Sequence, residues 1–288
     1  MRVVVVGAGG QLGRELVRVL PRATTVALVR ADLDLRDTEA VAARIGELAP
    51  AAVVNAAAEN RVDAAEEDPT EAVAVNALGA AALARGCRAP NAFFVHVSTD
   101  YVFDGRATRP YTEDDPPNPA GAYARTKLAG ELLVRALAPG HAVVRVAGLY
   151  AAGAGGGAGR SFVDRVLAQA RARAAPLRVV ADQVTAPTYA RDVAAVLARL
   201  LPRWVAGDAP GGIYHLTNAG ACSWYQFARA ALELAGVAAT VEPITSAALG
   251  APAPRPRYSV LAGTRLAALG EPPLRPWREA LAAYLAGE

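Results

Sequence analysis

Lysine is almost absent: of the 30 basic residues in 288, only Lys127 is lysine and the other 29 are arginine. Cysteine is nearly as scarce. Cys87 and Cys222 lie far apart with no pairing pattern, and His96, His141 and His215 are scattered, so a disulfide framework is excluded and no metal is expected. Long apolar runs are missing too, since nothing approaches the roughly 20 residues of a bilayer span. The opening MRVVVVGAGG turns to glycine far short of a signal peptide's apolar region. A soluble, cytoplasmic chain without membrane contact is expected. Nor is there a block of one charge: the net charge is +3, and the arginines alternate with acids instead of forming the basic patch that nucleic acid requires.

What is present is a globular composition, 53% hydrophobic and 20% charged. Its length suits one large α/β unit with a smaller appended lobe. Val3 to Val6 is a β-branched run ending in glycines, and Gln11 to Leu20 has apolar residues at helical spacing with Pro21 as its stop. The alternation repeats: strand at Thr24 to Val29, helix at Thr38 to Leu48, strand at Ala52 to Ala56, helix at Thr70 to Arg88. A strand at Phe93 to Val97, a helix at Tyr123 to Leu137 and a strand at His141 to Val146 follow. Unalternating strands separated by helices predict a doubly wound parallel sheet, Rossmann-like, covered on both faces. After Tyr150 the small-residue run AAGAGGGAG suggests a boundary, placing a dinucleotide-binding domain at 1–150 and mainly a substrate lobe at 151–288. Helices around Phe162 to Arg173, Arg191 to Leu201 and Trp224 to Ala235 belong to that part. Segments near 177–195 and 212–216 are expected to return to the sheet, and the cleft should lie at the carboxyl ends of its strands.

The glycines of Gly7-Ala8-Gly9-Gly10-Gln11-Leu12-Gly13 follow the first strand and open the first helix, where a tight turn lets a pyrophosphate approach backbone N–H groups and the positive helix end. Beyond the second strand, Arg30, Asp32 and Asp34 sit where a ribose-reading carboxylate or a phosphate-reading arginine belongs. Arg30 favours NADPH, with NADH as the alternative, and Asp32 reads equally well as solvated surface charge.

The lone lysine stands four residues after Tyr123, a placement that nine tyrosines in 288 positions would give by chance about 3% of the time. Residues four apart share a helix face. A phenol can protonate a carbonyl oxygen while hydride reaches the carbon, and an ammonium beside it lowers its pKa of about 10 toward working pH. Thr99, in Ser98-Thr99-Asp100-Tyr101, can hydrogen-bond the same oxygen. Arginine's fork would not replace the compact ammonium. His215, Trp224 and Tyr225 read as core aromatics of the lobe, and Cys222 as a packed small residue.

GAGGQLG, NAAAENRVDAAE, STDYVFDG, YARTKLAGE, ADQVTAPTYARDVA, GIYHLTNAGACSWYQFA and RPRYSVLAGTRL together resemble the dTDP-4-dehydrorhamnose reductase family, of extended short-chain dehydrogenase type, over nearly the whole chain. The resemblance implies NAD(P)H-dependent reduction of the 4-keto group of a nucleotide-linked 6-deoxyhexose, dTDP-4-dehydrorhamnose to dTDP-rhamnose in the first instance, with Thr99, Tyr123 and Lys127 at the catalytic positions. It implies that Gly7, Gly10, Gln11, Leu12, Arg30, Asp34, Leu35, Ala56 and Ala57, with Tyr123 and Lys127, line the cofactor. Asp100 and Tyr101, with Thr99 and Tyr123, would face the nucleotide-sugar substrate. A related deoxysugar nucleotide would suit the same machinery. The fold would also serve an epimerase or dehydratase that retains NAD, or a non-catalytic dinucleotide-binding regulatory subunit, and against the last stand the intact Thr99, Tyr123 and Lys127. Three departures fall on the substrate side. Gly148 stands where the family has tryptophan, which predicts a wider pocket; Ser161-Phe162 replaces Asn-Phe; and Tyr258 replaces asparagine. Some members bind a metal at a dimer contact through acids; Glu15 fits, but Arg191 takes an acid's place, so no metal is expected and a homodimer is left open.

Overall fold

The computed structural model describes residues 1–152, 161–172 and 176–288. All but the first two residues of the AAGAGGGAG run, and the expected end of the following helix at Arg173, lie outside them. In chain order the first half runs β1 (Val3–Val6), α1 (Gln11–Val19), β2 (Thr25–Leu28), α2 (Thr38–Leu48), β3 (Ala52–Asn55) and α3 (Val62–Glu67). Then come α4 (Thr70–Ala72), α5 (Ala80–Gly86), β4 (Phe93–Thr99), α6 (Ala122–Leu137) and β5 (Gly140–Val146). The second half adds β6 (Leu149–Tyr150), α7 (Phe162–Arg171), β7 (Leu177–Val180), β8 (Val184–Thr185), β9 (Thr188–Tyr189), α8 (Ala190–Ala206) and β10 (Gly212–His215). It ends with β11 (Cys222–Ser223), α9 (Trp224–Leu234), β12 (Val241–Ile244), α10 (Ser246–Leu249), α11 (Thr264–Ala268) and α12 (Trp277–Ala286).

Six strands form one sheet in the order β10-β5-β4-β3-β1-β2, every neighbouring pair parallel. The expected doubly wound sheet is therefore present. The unbroken valines of β1 explain its central place: Val3 and Val5 pack on one face with Leu12 and Leu16 of α1 and Val193 and Leu197 of α8. Val4 and Val6 pack on the other with Val41 and Ile45 of α2, Leu83 of α5 and Val134 of α6. From β1 the chain steps one way to β2 and then back past β1 to β3, so the topological switch point, and the crevice it creates, lies between the carboxyl ends of β1 and β3.

Several expectations change. β10 does join the sheet, but β7 pairs with β12 outside it, and the stretch near 177–195 reaches the sheet only through α8. The strand carries one exposed and one half-buried residue between buried ends, a pattern suited to a small sheet and not to a doubly covered one. The helix expected over 70–88 is interrupted by a π-helical stretch at Val73–Gly79, which turns Asn76 inward to bond the Glu59 backbone and Thr126 Oγ1. α8 runs on through Pro202 to Ala206. Tyr150, Val163, Tyr189, Phe227, Leu281 and Tyr284 form a further buried cluster apart from the two that cover the sheet. No helix among the described residues is long and apolar enough to cross a membrane.

Beneath the carboxyl edge of the sheet is a buried ion pair. Arg145 of β5 donates from Nε and Nη2 to Glu131 of α6 at 3.0 and 2.7 Å, and Ser98 of β4 donates to the same carboxylate. The guanidinium lies 5.1 Å from the Phe103 ring centroid and 3.5 Å from His215 Nε2 on β10. Removing one member of such a pair strands the other charge, at a cost of about 3–5 kcal/mol. Arg145→Met should lower the urea unfolding free energy by about that amount, and Arg145→Met with Glu131→Leu should recover most of the loss.

Candidate active site

A cleft of about 1050 Å³ opens at the carboxyl ends of the strands. All of Gly7, Gly10, Gln11, Leu12, Arg30, Asp34, Leu35, Ala56, Ala57, Thr99, Asp100, Tyr101, Tyr123 and Lys127 line it. At the β1–β3 end the backbone approach is tight: a Cβ on Gly7, at φ +79°, would come within 2.6 Å of Ala57 N, and one on Gly13 within 2.1 Å of the Gly7 carbonyl oxygen. The first turn of α1 has no side-chain cap and no acidic residue. Gln11 Oε1, in the same turn, is buried without a hydrogen-bond partner. Free helical N–H groups and a positive helix end suit a dinucleotide's pyrophosphate, and the unpaired amide oxygen suits a hydroxyl donor beside it.

The acids beyond β2 are committed locally. Asp32 accepts a hydrogen bond from Val29 N at 2.9 Å and does not line the cleft. Asp34 is held by Arg36, whose hydrogen bonds bring its pKa down to about 2. Arg30 reaches out to Glu71 at 3.0 Å, and Glu71 also takes Arg61. The arginine is largely exposed, so this pair is a weak tether.

At the other end, β4 delivers Thr99, the 3-10 turn just after it delivers Asp100, and the first turns of α6 deliver Tyr123 and Lys127. Lys127 is buried, its Nζ donating to the Val97 carbonyl at 2.7 Å, and burial brings its pKa down to about 8. Tyr123 stands edge-on to Tyr101, ring centroids 6.1 Å apart. The expected lowering of its pKa is not what the chain by itself provides. Burial and the nearby Asp100 push the phenol up, against a Thr99 hydrogen bond that pulls it down, while Lys127 donates to the Val97 carbonyl. Asp100 is buried too, and burial raises its carboxyl to about 6 against hydrogen bonds from Ser259, Thr99 and Thr185. Its oxygens thus face protein hydroxyls from both halves of the chain.

Sequence reasoning passed over several cleft residues. Arg178 and Gln183 come from the β7 region and Arg255 from the stretch with Pro252, Pro254 and Pro256, where Arg255 pairs with Asp63 at 2.8 Å. Trp224, read as core, is only partly buried and lines the cleft beside Phe162. Tyr258 does not line it. The pocket at Gly148 is not open: a Cβ there would meet Trp224 Cη2 at 3.2 Å and Pro187 Cα at 3.3 Å. At the possible metal contact Arg191 Nε donates to Glu15 at 3.4 Å.

A switch-point crevice over a bare helix end, with a tyrosine and a buried lysine one turn apart beside it, defines a dinucleotide-binding protein of the short-chain dehydrogenase type. Within that class the chain belongs to the RmlD substrate binding domain family, which matches residues 1–288. It is 46% identical to a dTDP-4-dehydrorhamnose reductase of Streptomyces griseus over 97% of this chain and 91% of that protein. It is 42% identical to a dTDP-4-dehydrorhamnose reductase of Mycobacterium tuberculosis over 99% of this chain and 92% of that one. The crystal structure of dTDP-4-dehydrorhamnose reductase from Bacillus anthracis in complex with NADP superposes with a TM-score of 0.92, at 31% identity and covering 100% and 99% of the two chains.

Gly148 lies at φ +50°, where side chains are strained, and its neighbours leave no room. Gly148→Trp, which a wide pocket would accept, should instead lower stability by about 1–3 kcal/mol, read as a reduced urea midpoint with an unchanged slope.

Proposed function

We propose that this protein reduces the 4-keto group of dTDP-4-dehydrorhamnose to give dTDP-rhamnose, with NADPH as reductant. The observation that carries the reading is the convergence of Thr99, Tyr123 and Lys127 on one cleft whose far end is a glycine cradle. The reductases to which the chain is similar support the substrate, and the NADP complex supports the cofactor. They favour this reading over a related deoxysugar and over a non-catalytic role.

Residues 1–150 hold the cofactor in this reading. Gly7, Gly10, Gln11 and Leu12 receive the pyrophosphate, and Leu35, Ala56 and Ala57 flank the adenosine side. Arg30 meets the 2′-phosphate, exchanging a weak surface tether to Glu71 for a charge-assisted bond. Asp34, neutralised by Arg36, opposes that phosphate little. NADPH supplies the hydride that reduces the carbonyl carbon.

The chain's own groups handle the proton. Tyr123 keeps its phenolic hydrogen at neutral pH because burial raises its pKa, so it is loaded as the acid that protonates the sugar oxygen as charge develops there. Thr99 hydrogen-bonds the phenol and steadies the phenolate left behind. Lys127, charged and buried, adds a compact positive field. Asp100 and Tyr101 line the sugar side, and most of 151–288 closes over it.

Lys127→Arg should lower turnover by on the order of 10²-fold or more, with NADPH binding followed separately by titration. For wild type, kcat/KM for reduction should be flat near neutrality. It should fall as pH rises through about 8, where Lys127 loses its proton, because Tyr123 stays protonated beyond that point. A Lys127→Arg enzyme within threefold of wild type, or a profile flat to pH 10, contradicts these roles.

A further inference from the structure

Building on that reading, we propose that Trp224 is the wall against which the sugar ring packs, delivered by the carboxy-terminal lobe to the place where Gly148 withholds a side chain.

The position follows from register. Val146 of β5 lies opposite Thr99 of β4, and Gly148 comes two residues later, so it borders the cleft beside the proton-handling groups. A strained left-handed glycine at that point needs a reason. The indole supplies one, because a Cβ on Gly148 would stand 3.2 Å from Trp224 Cη2. The glycine is what lets the ring come down.

The lobe fixes that ring from behind. Trp224 is the first residue of α9, after the cap Ser223, which bonds Gln226 N at 3.1 Å while Gln226 Oε1 accepts from Ser223 N at 2.8 Å. Phe162 packs against the indole, centroids 4.8 Å apart and planes inclined at 49°. β11, just before the tryptophan, pairs antiparallel with β8. Thr185 of β8 lies 3.5 Å from Asp100 Oδ2 and, through Cγ2, 3.7 Å from the same Gly148 Cβ position. One strand pair therefore sets both the aromatic wall and the partner of the buried carboxyl.

The chemistry matches a hexose lacking its 6-hydroxyl. Its ring C–H groups and C5 methyl form an apolar face suited to an aromatic surface, while its oxygens need polar partners such as the Thr99 hydroxyl and the Asp100 carboxyl, which line the same cleft. Among the described residues Trp224 is also the one tryptophan of the three that lines the cleft, which makes it an optical reporter.

The test has two arms on the full-length protein. In the first, tryptophan fluorescence is titrated with dTDP and with dTDP-rhamnose. The sugar nucleotide should quench, dTDP alone should not, and Trp224→Phe should lose most of the quench, since Trp204 and Trp277 remain. A quench by dTDP equal to that by the sugar nucleotide, no quench by either, or a quench that survives in Trp224→Phe overturns the proposal. In the second arm, Trp224→Ala should raise KM for the keto-sugar by about tenfold, the worth of a lost aromatic contact. kcat should stay within threefold and NADPH affinity unchanged, and Trp224→Phe carries this arm with a smaller KM rise if the alanine variant does not fold. An unchanged KM, or KM and NADPH affinity worsening together, overturns it as well. Absence of turnover by wild type would remove the reductase reading, while the fluorescence arm still reports on the wall.

Discussion

The ion pair of Arg145 and Glu131 is the constraint on which the site depends. Both side chains are almost fully buried, and charges taken out of water persist only when closely paired and fully hydrogen-bonded. Satisfying them locks four elements. Arg145 belongs to β5, Glu131 to α6, Ser98 to β4 and His215 to β10. His215 Nδ1 lies 3.1 Å from the carbonyls of Tyr111 and Ala262, which assigns its proton there and leaves Nε2 to accept from Arg145. Burial holds that imidazole neutral. Glu113 adds the carboxy-terminal segment by accepting from His215 N and from Thr264.

The groups assigned to chemistry are one step from this lock. Lys127 precedes Glu131 by one turn, Tyr123 precedes it by two, and Thr99 follows Ser98. Because the helix and strand cannot slide without breaking buried hydrogen bonds, tyrosine, lysine and threonine meet at a fixed geometry, the preorganisation that proton transfer requires. A lysine buried here also explains why the chain keeps one. An ammonium can share its hydrogens between the Val97 carbonyl and a ligand as a compact point charge, which a planar guanidinium fork does not reproduce.

Much of this was legible in the sequence because it is local. The valines of β1, the glycines after it and the four-residue spacing of Tyr123 and Lys127 are patterns a few residues long, and the strand–helix alternation forces a parallel sheet. What escaped depends on distant partners. β7 looks like any short apolar strand, and only β12, some sixty residues on, decides that it leaves the main sheet. Trp224 sits among aromatics that do form a core, and its exposure to the cleft is set by two-residue strands too short to leave a pattern. Gly148 looked like missing bulk until its neighbours were known. The direction of the Tyr123 shift required burial and Asp100, neither of which spacing reveals.

In the proposed reaction the crevice over β1 and β3 and the face of the cleft beside Trp224 lie on one path, along which a hydride moves from cofactor to sugar and stays there. That is where a reductase differs from an epimerase or dehydratase, which returns its hydride within each cycle. The direct measurement is to incubate the protein with NADPH carrying deuterium in the transferable position and dTDP-4-dehydrorhamnose, and to locate the label in the product by NMR. The account predicts dTDP-rhamnose with deuterium at C4 and one NADPH consumed per product. A product without deuterium, or NADPH left unconsumed while the sugar changes, would contradict it.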